Sequence, residues 1–276
     1  MPLNSLSQWV GELSKREIPK WARRLIFATY CKIYQVNMDE AIESDLTQYS
    51  SLSKFFRRKL KPDCRPIDTE ADLVVPCDAK VLHCGVITDE NQVEQVKGMT
   101  YALDEFLGGT HNEIPLKEGN CLHHIIMYLA PGDYHCFHSP TDWSVNQRRH
   151  FAGKLLSVKP SVATWMPKLF AQNERVVYLG RRKIDSSFFA FVAVGATNVG
   201  SILIKNDPEL NMLGTNCNER ENGFCRSRNF LINIVDKGEF FGEFNLGSTI
   251  VLIFEAAKDF QFSVKSGEKV KVGQRL

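Results

Sequence analysis

From Pro66 to the C-terminus the chain repeats one texture: short runs rich in β-branched and aromatic residues, each soon cut off by Gly, Pro or Asp. The runs are Leu73-Val74-Val75, Lys80 to Ile87, Cys121 to Leu129, Lys154 to Val158, Arg175 to Leu179, Phe188 to Val194, Ser201 to Ile204, Phe230 to Val235 and Thr249 to Phe254. This is the pattern of a mainly antiparallel β domain. Segments around Leu103 to Leu107 and Trp165 to Gln172 read as helical exceptions. Asn206 to Asn229 contains neither Val nor Ile and reads as a long surface excursion. Near the end, Lys237 to Gly242 and Ser266 to Gln274 carry Gly-turn signals that resemble the strands of lipoyl- and biotinyl-like hybrid barrels.

The first 62 residues differ. Ser5 to Glu17 and Pro19 to Val36 carry apolar residues at three- and four-residue spacings, and Asp39 to Tyr49 suits a third short helix. Ser53 to Pro62 then places two adjacent Phe among five cations. Such a stretch suits a helix end whose Phe pair enters the core while its charges are solvated, or an anionic membrane surface with Trp21, Phe55 and Phe56 at the acyl boundary and Arg57, Arg58 and Lys59 on headgroups. The expected organisation is α+β: a helical membrane-surface segment, 1–62, followed by a β-rich catalytic domain, 63–276.

Bulk properties narrow the function. A net charge of +2 is too small to argue for nucleic acid as a partner. The eight cysteines form no CxxC pair, so neither a zinc site nor a thioredoxin-type site is signalled, and they read as free thiols. No run approaches the roughly 18 apolar residues of a membrane span. The N-terminus lacks a signal-peptide h-region. Taken literally the chain is soluble or peripheral, and a preceding segment is equally compatible with it.

Three short stretches carry chemistry. In Glu243 to Glu255 a strand-like run is interrupted by Gly247-Ser248. A turn or bulge would explain it; so would a hydroxyl that attacks its own chain. Leu129 to Pro140 places His135 and His138 after a Pro-Gly-Asp turn, where imidazoles suit acid-base work better than metal binding. Asp78 lies between two apolar strands beside Pro76, as a turn residue or as a carboxylate that orients a His. With Ser248 these residues also allow a Ser-His-Asp lipid hydrolase, although the Gly-x-Ser-x-Gly elbow is missing.

Taken together, "NLGSTIVLIFE", "APGDYHCFHSP", "FFRRKLK", "VEQVKG", "NERVV" and "VGATNVGSI" resemble phosphatidylserine decarboxylase, most of all the mitochondrial type, from about Trp21 to the C-terminus. The resemblance implies a proenzyme that cleaves itself between Gly247 and Ser248 into chains 1–247 and 248–276. It further implies a pyruvoyl group made from Ser248, which accepts the electron pair as carbon dioxide leaves. By motif, Asp78, His138 and Ser248 fall on the cleavage residues and His135 on the one tied to decarboxylation. A noncatalytic lipid-binding relative is a further alternative. The sequence departs from the family pattern at Ala79, where Gly is usual. The resemblance also implies phosphatidylserine and an anionic membrane surface as partners, a homodimer, and a place on the mitochondrial inner membrane facing the intermembrane space.

Overall fold

A computed structural model describes residues 13–87, 92–96, 99–109, 115–196, 202–213, 225–230, 233–245 and 247–276. Its centre is a nine-stranded sheet. The strands are β1 (Ala79–Val86), β4 (Asn120–Leu129), β6 (Trp143–Phe151), β7 (Arg175–Arg182), β8 (Phe188–Gly195), β10 (Cys225–Asn229), β11 (Ile234–Val235), β13 (Ser248–Ala257) and β14 (Lys269–Val270). Their order is β10-β6-β7-β8-β13-β4-β1-β14, with β11 paired to β6. A small sheet joins β5 (Cys136–His138), β12 (Phe240–Phe244) and β9 (Ile202–Ile204), and β2 (Gln92–Val96) pairs with β3 (Met99–Ala102). Each of these pairs is antiparallel, and neither large nor small sheet closes into a barrel among the described residues. The hybrid-barrel likeness thus reduces to local turns. One is the turn at Gly273, whose φ of 88° favours glycine and where a Cβ would collide with the Pro66 carbonyl oxygen.

Strand β13 is why the fold has a middle. Ile250 through Phe254 are fully buried, a continuous apolar run that only a strand covered on both faces tolerates. It pairs along its length with β4 and with β8. The small sheet packs on this layer through aromatic rings: Phe137 on Phe191 at 5.5 Å, and Phe241 on Tyr178 at 5.3 Å and Trp143 at 5.9 Å. Strand β12 of the small sheet ends at Phe244 and β13 of the large one begins at Ser248, so the chain changes sheets between them.

The N-terminal helices differ from expectation in part. Helix α1 (Lys20–Tyr34) forms, whereas Asp39 to Tyr49 gives only a one-turn helix at Leu46–Gln48, and most of Ser5 to Glu17 lies outside the described residues. Helix α2 (Leu52–Phe56) starts where the Ser51 hydroxyl accepts from the Lys54 amide. Phe27 of α1 stacks on Phe55 at 4.7 Å and meets Tyr49 edge-on. On the other side of α1, Trp21, Leu25 and Ile33 are exposed by 84%, 72% and 65%, an apolar stripe at four- and eight-residue spacing that the described chain leaves uncovered.

Candidate active site

Ser248 is the first residue of β13, opposite Leu129, the last residue of β4, and opposite Gly195, the last of β8. Its side chain is fully buried, and its hydroxyl has no hydrogen-bond partner among the described residues. Buried hydroxyls that serve structure are almost always paired. An idle one at the point where two sheets join is available for chemistry. The preceding Gly247 is half-buried, and a Cβ added there would meet no described atom within 4 Å.

The strand opposite leads to the two histidines. Beyond Leu129 the chain turns at 130–133, where the Asp133 carboxylate accepts from the Ala130 amide, and enters β5. Gly132 is required there because a Cβ would collide with the Tyr34 carbonyl oxygen at the end of α1. His135 then lies beside the end of β12, its carbonyl accepting from the Phe244 amide. Its Nδ1–H donates to the Asp133 carbonyl at 2.9 Å, so Nε2 carries the lone pair, and Nε2 is buried without a partner. The ring rests on Phe56 at 4.4 Å. Burial pushes its pKa down to about 3, and Arg58 adds to the effect. His135 is thus a neutral base at physiological pH.

His138 sits at the other end of β5. Its Nδ1–H donates to the Gly238 carbonyl at 2.9 Å, and Nε2 accepts from the Tyr134 hydroxyl at 3.2 Å. Burial lowers its pKa as well. Asp78 does not hydrogen-bond to it. The Asp78 carboxylate is taken by Arg65, with Nη2 at 2.6 Å and Nε at 2.9 Å, and by the backbone amide of Val272 at 3.0 Å. Arg65 also pairs with Glu40 at 2.6 Å. The expected support of His138 by Asp78 is therefore at most through space in this structure. Asp78 instead ties the C-terminal segment to the segment that precedes β1.

The residues read as a membrane-facing surface divide. Trp21 is exposed, but Phe55, Phe56 and Arg58 are buried, which corrects their placement on an outer face. Arg57 and Lys59 both pair with Glu243, at 2.9 and 2.6 Å, and the Ser53 hydroxyl donates to the Asn245 side-chain oxygen at 3.0 Å. Helix α2 and the residues after it therefore clasp the β12–β13 junction. The sequence did hold a signal: a helix this short is unstable alone, so its two Phe need a core to pack against. Arg65, Glu243 and Tyr134 had no such local mark, because their partners are distant in the chain.

Comparisons with known proteins identify the family. Residues 52–276 match the family described as phosphatidylserine decarboxylase. Over its whole length the chain is 46% identical to the mitochondrial phosphatidylserine decarboxylase proenzyme of Rattus norvegicus, of which it spans 72%. It is 39% identical to the mitochondrial proenzyme 1 of Schizosaccharomyces pombe, spanning 80%, and 35% identical to that of Saccharomyces cerevisiae, spanning 72%. A chain with these relatives and this idle hydroxyl where its two sheets meet belongs to the phosphatidylserine decarboxylase family.

Proposed function

We infer that this chain is a carboxy-lyase that converts phosphatidylserine to phosphatidylethanolamine after cutting itself between Gly247 and Ser248. The observation that carries the reading is the buried, unpartnered hydroxyl of Ser248 at the head of the central strand. In the cut, the Ser248 oxygen attacks the Gly247 carbonyl carbon and the amide becomes an ester. Loss of the proton on the Ser248 α-carbon then expels the Gly247 carboxylate, and hydrolysis of the resulting enamine releases ammonia. His138, with its lone pair on Nε2, is the base for the first step once it exchanges the Tyr134 hydroxyl for that of Ser248. Asp78 contributes a nearby negative charge and fixes the C-terminal segment through Val272.

The residues fit a pyruvoyl group at position 248: the site is buried, holds an unpartnered imidazole nitrogen and has no competing hydrogen bond to the serine oxygen. Such a group supplies the electron sink that side chains lack. His135, whose Nε2 is buried without a partner among the described residues, is the group we assign to hold and return the proton that replaces carbon dioxide.

A lipid substrate has to reach this site from a bilayer. No helix among the described residues is long and apolar enough to cross a membrane. We assign the surface contact to the stripe Trp21, Leu25 and Ile33 of α1, whose last turn abuts Gly132 of the active-site turn. The named relatives are mitochondrial, and we place the chain on the inner membrane, facing the intermembrane space.

Intact mass spectrometry of the purified chain beside Ser248→Ala tests the reading. A fragment 248–276 that begins with pyruvoyl, absent from the variant, is expected. A folded wild-type chain that stays whole would sink it.

A further inference from the structure

Other buried guanidinium groups among the described residues meet a carboxylate or several carbonyls, although Arg148 also leaves its Nε unpartnered. Arg148 pairs with Asp207 at 2.7 Å, and Arg175 donates to the carbonyls of Phe106, Ala171 and Glu105. Arg58 is different. It is only 5% exposed and has no carboxylate partner among the described residues. Its Nη2 donates to the carbonyls of Gly132 at 2.7 Å and Asp133 at 3.1 Å and its guanidinium lies 5.6 Å from the centre of the Phe55 ring, while Nε and Nη1 are buried with no hydrogen-bond partner among the described residues. A guanidinium so desolvated is costly unless an anion meets it.

Room for that anion exists. Arg58 lines a cavity of about 260 Å³ together with Arg65, Lys269 and Lys271, beside the 132–134 turn. The carboxylates on the same wall are already engaged. Glu40 and Asp78 are held by Arg65, Glu40 also by Lys271, and the Asp133 carboxylate accepts from Ala130. The cavity also adjoins the reaction centre. Arg58 Nη2 and His135 Nδ1 donate to the same Asp133 carbonyl oxygen, and Leu129, at the start of that turn, pairs with Ser248.

We propose that Arg58 binds the phosphodiester of the lipid headgroup in this cavity and so positions the serine moiety against residue 248. The proposal rests on the decarboxylase reading and supplies the contact that selects a phospholipid over a bare amino acid. The substrate carboxylate is the poorer candidate. Its charge disperses as carbon dioxide leaves, so a cation gripping it would hold back the reaction. The phosphodiester charge is unchanged from substrate to product. A grip on it is uniform binding, which shows in KM and leaves kcat alone.

The test uses Arg58→Gln and Arg58→Lys in the full chain, with appearance of the 248–276 fragment as the check on folding and maturation. Carbon dioxide release is followed with dihexanoyl phosphatidylserine and with O-hexylserine, which has the amine and carboxylate but no phosphate. For Arg58→Gln we expect the phospholipid KM to rise about 30-fold more than the O-hexylserine KM, with any change in kcat the same for both substrates. Arg58→Lys is expected to recover part of the KM. Inorganic phosphate should compete with the phospholipid in the wild type and not in Arg58→Gln; competition without a change in phospholipid KM would assign the cavity to free phosphate and overturn the headgroup assignment. Equal losses on both substrates, or a loss confined to kcat, would also overturn it and leave Arg58 as a positioning residue for His135. If neither variant matures, inhibition of the wild type by glycerophosphoethanolamine and by ethanolamine decides, equal potency counting against the proposal. A wild type that releases carbon dioxide from neither substrate refutes the decarboxylase reading itself.

Discussion

His135 carries the sharpest electrostatic signature in the site, and its consequence can be worked out with its sign. The folded pKa of about 3 lies below the ordinary value near 6.5, so the native state refuses a proton that the unfolded chain accepts. Its contribution to stability is intact above pH 6.5 and is lost as pH falls from there towards 3. Between pH 7 and pH 5 the loss amounts to roughly 2 kcal/mol for this one group. Denaturant titrations in the Ser248→Ala background, where the chain stays single, check this. The fall between those two pH values should shrink by about that amount when His135→Gln is added. An unchanged fall would mean that the ring is protonated in the folded protein. His124, also pushed down to about 3 by burial, adds a similar slope that is common to both proteins and cancels in the comparison.

At the scale of elements, the site depends on how α1 and α2 are seated on the 130–135 turn and on β12. The Tyr30 hydroxyl donates to the Pro131 carbonyl at 2.8 Å, and the end of α1 lies against Gly132. Gly132→Ala would drive a methyl into the Tyr34 carbonyl oxygen. We expect a loss of about 1–3 kcal/mol in stability and faster amide exchange in both α1 and the turn, read by hydrogen-exchange mass spectrometry. How much of this was legible beforehand differs by element. Strands β4, β8 and β13 were plain, because burial on both faces leaves unbroken apolar runs. Strand β6 was missed, because Arg148 and His150 interrupt its pattern and are buried only by virtue of Asp207 and Glu174, far along the chain. Lys154 to Val158, read as a strand, makes only one bridge, at Lys154 to Asn173. The basic-aromatic stretch misled for a related reason: the acceptors that draw Arg57, Arg58 and Lys59 inward are Glu243 and the carbonyls of Gly132 and Asp133. Ser248 and the two histidines are proposed from motif, whereas the partner of Asp78, Arg65, comes only from the fold.

For the molecule as a whole, the cut proposed at Gly247-Ser248 removes no strand from the sheet. All ten residues of β13 retain pairing to β4, and the first seven also to β8. Downstream, β14 pairs with β1, and the Leu276 amide donates to the Leu73 carbonyl. The two products should therefore elute together in gel filtration under native conditions and separate only in denaturant. Native separation would contradict the register described above.

That register also bears on timing. Ser248 has its neighbours only after residues near 129 and 195 have aligned on either side of it, and β5 joins them only through the strand that leads into the junction. The proposed attacking group and its base thus meet only once contacts more than fifty residues apart in the chain have closed. On that proposal, making the reactive carbonyl would report that the central strand has threaded correctly, and a misthreaded chain would expose no ketone.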